Sequence, residues 1–230
     1  MRFGVMSGIR QPRTAPVGTL RSMGTFTDGL LERFVLASSE FERKLRAVRS
    51  GQWSWPTPCT EWNVRQLVNH MARGNLSYLH LLRGGTSADF LRLRDADALG
   101  ADPLAAYTRS ARECAEAFAE PGALGRVLDY PLGRVPGYQA LAVRTTDSAI
   151  HTWDLARATG DDDTLDAGLV AWIDDHLEEI YAGLAETPTA ADTTHRFFAA
   201  PGDRLPHAAP RQHRLLHRMG RNPGTPSNAI

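Results

Sequence analysis

Asp147-Ser-Ala-Ile-His151 sets a carboxylate and an imidazole four residues apart, and Asp154 follows three residues later. On a helix, that spacing stacks Asp147 and His151 on one face. Both side-chain types ligate divalent metals. His70, within Leu67-Val-Asn-His70-Met, lies in a second amphipathic segment far upstream, where a folded bundle can bring it to the same point. Two neutral imidazoles and one carboxylate make a three-donor site that leaves room for water or substrate. That donor set suits Zn²⁺ and also Ni²⁺ or Fe²⁺. The structural alternative is an exposed hydrogen-bonded pair at Asp147 and His151, with His70 a satisfied core histidine. The metal reading predicts that His70, Asp147 and His151 converge in one coordination sphere. Donor groups more than about 8 Å apart and facing solvent would end it.

Asp154 and Arg144 are the candidate catalytic residues. Asp154 lies one turn from His151 and can orient that imidazole or relay a proton. Its competing role is a hydrogen bond that locks Trp153 or a neighbouring backbone group. Arg144 and Arg73 lie about one turn from Asp147 and His70. Either guanidinium matches a substrate carboxylate, and either equally suits a surface position or the role of a partner behind the ligands, which is the preferred reading. Cys59 stands in a loop and reads as a packed small residue, with nucleophile or extra ligand as its functional alternative. Trp53, Trp55 and Trp62 read as packing anchors that could also wall a pocket.

The elements that must position these groups are helical. Leu30, Leu31, Phe34, Val35, Phe41, Leu45 and Val48 recur at helical spacing and predict a helix over about 27–48. Two prolines break the loop from Gly51 to Thr60. Asn63 is an N-cap for a second helix, which ends at the glycines near 84–85. Residues 89–102 read as a loop with a helical piece. A third helix spans about 103–119, and residues 126–133 form a short extended or hairpin element. A fourth helix, about 138–159, carries Asp147 and His151 and stops at Gly160. Its stripe of Val143, Asp147, His151, Asp154 and Ala158 suggests a wet pocket inside the bundle. A fifth helix covers about 169–184, a last short one 212–219, and the tail from Arg221 reads as frayed. The fold class is therefore all-α: a four-helix bundle with crossover loops and additional short helices.

Length and charge narrow the function. At 230 residues one large domain, or a domain plus a small appendage, is expected. Basic and acidic residues balance at 26 each, which argues against nucleic-acid or membrane-surface partners. No apolar run reaches membrane-spanning length. Cys59 and Cys114 form no metal or redox motif, which fits a reduced cytoplasmic protein. Lys44 is the only lysine, the bias of a GC-rich genome. Residues 1–26 are basic, free of acids until Asp28 and without a secretory apolar segment, and read as a disordered extension or start-site artefact, with Met6 and Met23 as alternative starts. The bundle is assigned to 27–186 and a loop-rich C-terminal segment to 187–230.

Two long motifs add a resemblance. Thr57-Pro-Cys-Thr-Glu-Trp62-Asn-Val64 through Leu67-Val-Asn-His70 resembles the first signature of the mycothiol-dependent maleylpyruvate isomerase metal-binding-domain family, within the DinB-like superfamily. His151-Thr-Trp153-Asp154-Leu155-Ala156-Arg157-Ala158-Thr-Gly160 resembles its second signature, and Arg214 through Pro223 resembles the end of its smaller, actinobacterial members. The resemblance runs from about Leu30 to Pro223. It implies a DinB-like bundle holding a divalent metal, zinc foremost, through His70, Asp147 and His151, with Asp147 standing where the best-understood family enzyme has a glutamate. It also implies mycothiol as a cosubstrate. The family's isomerase has a separate C-terminal domain, and the chain after Leu184 is short for one.

The leading expectation is a metal-dependent thiol transferase or isomerase acting on a small electrophile. The alternatives are a non-catalytic metal-binding or regulatory module, and a metal-dependent hydrolase using metal-bound water.

Overall fold

The computed structural model describes residues 26–184 and 208–224. The expectations for residues 1–25, for 185–207 and for 225–230 fall outside that range. Four long helices make the bundle: α1 (Leu30–Arg46), α2 (Val64–Leu82), α4 (Pro103–Ala119) and α5 (Gly137–Thr159). Short α3 (Ser87–Arg92) lies in the α2–α4 crossover. Two antiparallel strands, β1 (Val127–Tyr130) and β2 (Gly133–Pro136), pair between α4 and α5. α6 (Ala167–Ile180) and α7 (Arg211–Arg218) complete the described chain.

Local chemistry explains most boundaries. Asn63 accepts from the Gln66 N–H while the Gln66 side chain accepts from the Asn63 N–H, a reciprocal cap that starts α2. Asp102 accepts from the Ala105 N–H, and Pro103 begins α4, where its missing N–H costs nothing. Gly137 starts α5 because any side chain there would strike the Ala123 carbonyl: a Cβ would lie 2.1 Å from its oxygen. Gly160 ends α5 in the left-handed conformation at φ 72°.

In the bundle, α5 packs chiefly on α1 and α2 chiefly on α4, while α1–α4 and α2–α5 contacts close the ring. One apolar cluster, at the hairpin end, gathers Phe34, Leu81, Phe118, Leu128 and Trp153. The other, at the opposite end, gathers Phe41, Val68, Met71, Tyr107 and Leu155. Asn75, Ser110, Arg144 and Asp147 form a hydrogen-bonded polar band within the bundle.

α5 is buried on nearly every side, its polar stripe included. Only Tyr138, Asp147, Arg157 and Thr159 along it are not buried. Its threonines make this possible. Thr145, Thr146 and Thr152 donate their hydroxyls to carbonyls four residues back, at 2.8, 3.0 and 2.7 Å, so polar side chains enter the core already satisfied. The expected frayed tail is also corrected at its first residue: Arg221 is 6% exposed. No described helix is long and apolar enough to cross a membrane.

Candidate metal centre

α2 and α5 bring His70, Asp147 and His151 together. His70 Nε2 lies 3.2 Å from Asp147 Oδ2, and His151 Nε2 lies 3.2 Å from Asp147 Oδ1. One ligand-type atom from each of the three residues falls within 4.8 Å of the others. The two imidazoles meet edge-on, with ring centroids 4.9 Å apart. A tetrahedral zinc site with bonds of about 2.0–2.1 Å has donors roughly 3.3 Å apart, so the observed separations suit a divalent ion.

The three side chains are held from behind. Asp154, fully buried, lies 2.8 Å through Oδ2 from His151 Nδ1. With Nδ1 donating its proton to Asp154, Nε2 faces Asp147 and His70 and is the nitrogen a metal would take by displacing the Nε2 proton; this carboxylate–histidine arrangement fixes the ring orientation. Arg144 is 1% exposed and pairs with Asp147 Oδ2. The same guanidinium donates to Asn75 Oδ1 at 2.8 Å and to the Met71 carbonyl at 2.6 Å. Asn75 in turn donates to Ser110 Oγ at 3.1 Å. Arg144 thus stands behind the carboxylate.

Electrostatics split the two histidines. Burial is the largest influence on His70 and pushes its pKa down to about 4, despite the pull of Asp147. Burial also opposes charge on His151, but Asp147, then Asp154 and Cys59, override it and raise its pKa well above the usual histidine value. Burial works against ionised Asp147, yet His151 and His70 hold it well below the carboxylate range. At Asp154 burial is outweighed chiefly by Arg221, which brings the pKa to about 2.

The loop before α2 closes the mouth. Trp55 and Trp53 carbonyls accept from the Val64 and Arg65 N–H groups at 3.0 and 2.9 Å, and the Cys59 carbonyl accepts from the Trp62 N–H at 2.8 Å. The fold of this loop lays Trp62 on the His70 ring at 4.6 Å between centroids. Cys59 is half-buried, its Sγ 3.3 Å from Asp154 Oδ2 and 3.9 Å from His151 Nδ1. With His151 and Asp154 it makes a second donor group, on the opposite side of the same imidazole. Burial, then Asp154, raises the Cys59 pKa, so the thiol keeps its proton.

The family model for the mycothiol maleylpyruvate isomerase N-terminal domain matches residues 34–156, more than half of the chain. The chain belongs to that family. Two uncharacterized proteins from two strains of Mycobacterium tuberculosis are each 36% identical to it over 133 residues, 58% of this chain and 69% of theirs. No solved structure matches. The family match takes in Cys59, Trp62, His70, Arg73, Arg144, Asp147, His151 and Asp154, and leaves out Arg221.

Arg221 is the residue that sequence reasoning missed, although it stands inside the Arg214–Pro223 stretch that resembles family members. It pairs with Asp154 and meets Cys59 Sγ at 3.0 Å. Arg73 sits one turn after His70 on α2, half-buried. Among the described residues no hydrogen bond or ion pair occupies its guanidinium, and burial lowers its pKa. Arg94 lies near enough to add repulsion, while Asp95 and Asp147 attract it.

Proposed function

We propose that this family member is a metal-dependent enzyme of small-thiol chemistry. Zn²⁺, or else Ni²⁺ or Fe²⁺, binds through His70, Asp147 and His151. A thiol of the mycothiol kind is the cosubstrate, and the reaction transfers it to, or uses it to isomerise, a small electrophile. The observation that carries this reading is the 3.2 Å approach of both imidazoles to one carboxylate, with the far nitrogen of His151 already committed to Asp154. The thiol comes from membership of the family.

A divalent ion held there would lower the pKa of a bound thiol or water and so supply a nucleophile at neutral pH. The chain's own residues do the rest. Asp154 keeps the Nδ1 proton of His151 in place. Arg144 balances the charge of Asp147 and fixes its rotamer. Both act through the ligands, as positioning residues. Trp62 shields one face of His70 from water. Arg73, with Asp95 and Arg94 near it, has no hydrogen bond or ion pair among the described residues and would receive an anionic group of the electrophile.

The test is metal content by elemental mass spectrometry on wild type and His151→Ala, followed by a thiol screen. About one equivalent of metal, lost in the variant, with turnover that needs an added thiol, supports the reading. Metal-dependent turnover without thiol replaces it with a hydrolase. Metal without turnover leaves a binding module. An absence of metal after zinc reloading sinks the site itself.

A further inference from the structure

The family match ends at residue 156, yet Asp154 is held from beyond it. Arg221 Nε donates to Asp154 Oδ1 at 2.9 Å and Nη2 to Oδ2 at 2.6 Å, a two-pronged guanidinium–carboxylate pair. Nη1 donates to the Met219 carbonyl at 3.0 Å. Both side chains are almost wholly buried, so this pair is shielded from solvent and salt. Asp154 Oδ2 accepts from Arg221 and from His151 together, which makes Arg221, Asp154 and His151 one continuous chain of hydrogen bonds.

α7 is built to deliver that guanidinium. Leu215, Leu216 and Met219 are buried in the core. Arg211 and Arg218 pair with Asp174 of α6 at 2.8 and 3.1 Å. The helix then closes with Gly220 in the left-handed conformation at φ 71°. The Gly220 N–H reaches the His217 carbonyl at 2.9 Å and the Arg221 N–H reaches the Leu216 carbonyl at 2.8 Å. This reversal fixes the backbone from which Arg221 departs.

We infer that Arg221 is a positioning residue of the metal centre. The C-terminal segment completes the site in cis by clamping Asp154, which in turn holds the His151 ring with Nε2 toward Asp147 and His70. Without the clamp, Asp154 keeps, among the described residues, only His151 and the Cys59 thiol as partners in a buried place, and the ring loses its fixed stop. Loss of a partner behind a metal-bound histidine typically costs about 10- to 100-fold in affinity. The affinity part of this inference rests on the metal reading above; the ring-orientation part stands on the geometry alone.

Two readouts test it on the full chain. Zinc affinity is measured by chelator competition in wild type, Arg221→Gln, Arg221→Lys and Arg214→Gln. Arg214 is exposed on α7 and, among the described residues, donates only to the Ala209 carbonyl, so its variant reports mere damage to that helix. The second readout is the His151 Nδ1–H resonance in metal-free protein labelled with ¹⁵N-histidine. The expected result is a loss of about 10- to 100-fold in affinity for Arg221→Gln, a smaller loss for Arg221→Lys, and no change for Arg214→Gln. The Nδ1–H signal, sharp and slow to exchange in wild type, broadens in Arg221→Gln. Should Arg221→Gln fail to fold, Arg221→Lys carries both readouts. Wild-type affinity together with an unaltered Nδ1–H signal in both Arg221 variants overturns the inference. If wild type binds no zinc, the metal reading fails by itself and the Nδ1–H signal decides the role of Arg221.

Discussion

Gly74 and Arg144 compete for the same space: a Cβ on Gly74 would lie 2.8 Å from Arg144 Nη1. A glycine in mid-helix normally costs about 1 kcal/mol relative to alanine. Here it opens the slot through which a buried guanidinium reaches Asp147. Gly74→Ala is therefore expected to destabilise, because overpacking of about 1–3 kcal/mol exceeds the propensity gain. The urea midpoint should fall, and zinc affinity with it, as Arg144 is pushed off Asp147. A midpoint that rises would mean Arg144 has a second place to go and Asp147 does not depend on it.

Proton release distinguishes the two donor groups that share His151. In the metal-free protein at pH 7 His151 carries a proton, since Asp147 and Asp154 raise its pKa, while His70, near 4, is already neutral. A metal on His70, Asp147 and His151 displaces the Nε2 proton alone, so about one proton is released. A metal on Cys59, His151 and Asp154 would displace the thiol proton as well, because Cys59 is also raised, giving about two. Proton and metal compete at His151, so affinity weakens as pH falls. Titration calorimetry in buffers of different ionisation enthalpy counts the protons, and a count near two moves the site to Cys59.

The helices and the pairing of Asp147 with His151 were legible because their signals are local. Asn63 and Gln66 cap α2 within one turn, Pro103 opens α4, Gly160 closes α5, and Asp147 and His151 share a face by spacing alone. What stayed hidden depends on distance along the chain. Arg221 is 67 residues from Asp154, so no window of periodicity joins them. The reach of Arg144 past Gly74 to Asn75 is likewise a contact between two helices.

Cys59 sits close enough to His151 and Asp154 to be mistaken for a ligand. In the favoured arrangement it packs against the far side of the imidazole, with its thiol protonated. Cys59→Ala should keep about one equivalent of zinc and most of the thiol-dependent turnover. Loss of a hydrogen bond to a charged group would cost about 1.5–3 kcal/mol of stability at most. Metal content by mass spectrometry checks this directly: zinc lost from Cys59→Ala but kept in His70→Ala would assign the ion to the other donor group.

Arg73 offers the sharpest test of what the electrophile carries. Arg73 is half-buried one turn from His70, without a hydrogen bond or ion pair among the described residues; burial disfavours its charge, and the attraction of Asp95 is opposed by Arg94 and Arg144, whose repulsion a bound anion would relieve. Arg73→Gln removes the charge while keeping length and polarity. A charged hydrogen bond of about 1.5–3 kcal/mol corresponds to roughly 10- to 150-fold in kcat/KM for an anionic electrophile. A neutral electrophile of the same reactivity should be nearly unaffected, and zinc content should stay at wild-type level, since Arg73 touches no ligand. The comparison is made with paired carboxylate and amide electrophiles under one thiol concentration. Equal losses on both would show that Arg73 supports the helix rather than the substrate, and unchanged rates on both would remove it from the site.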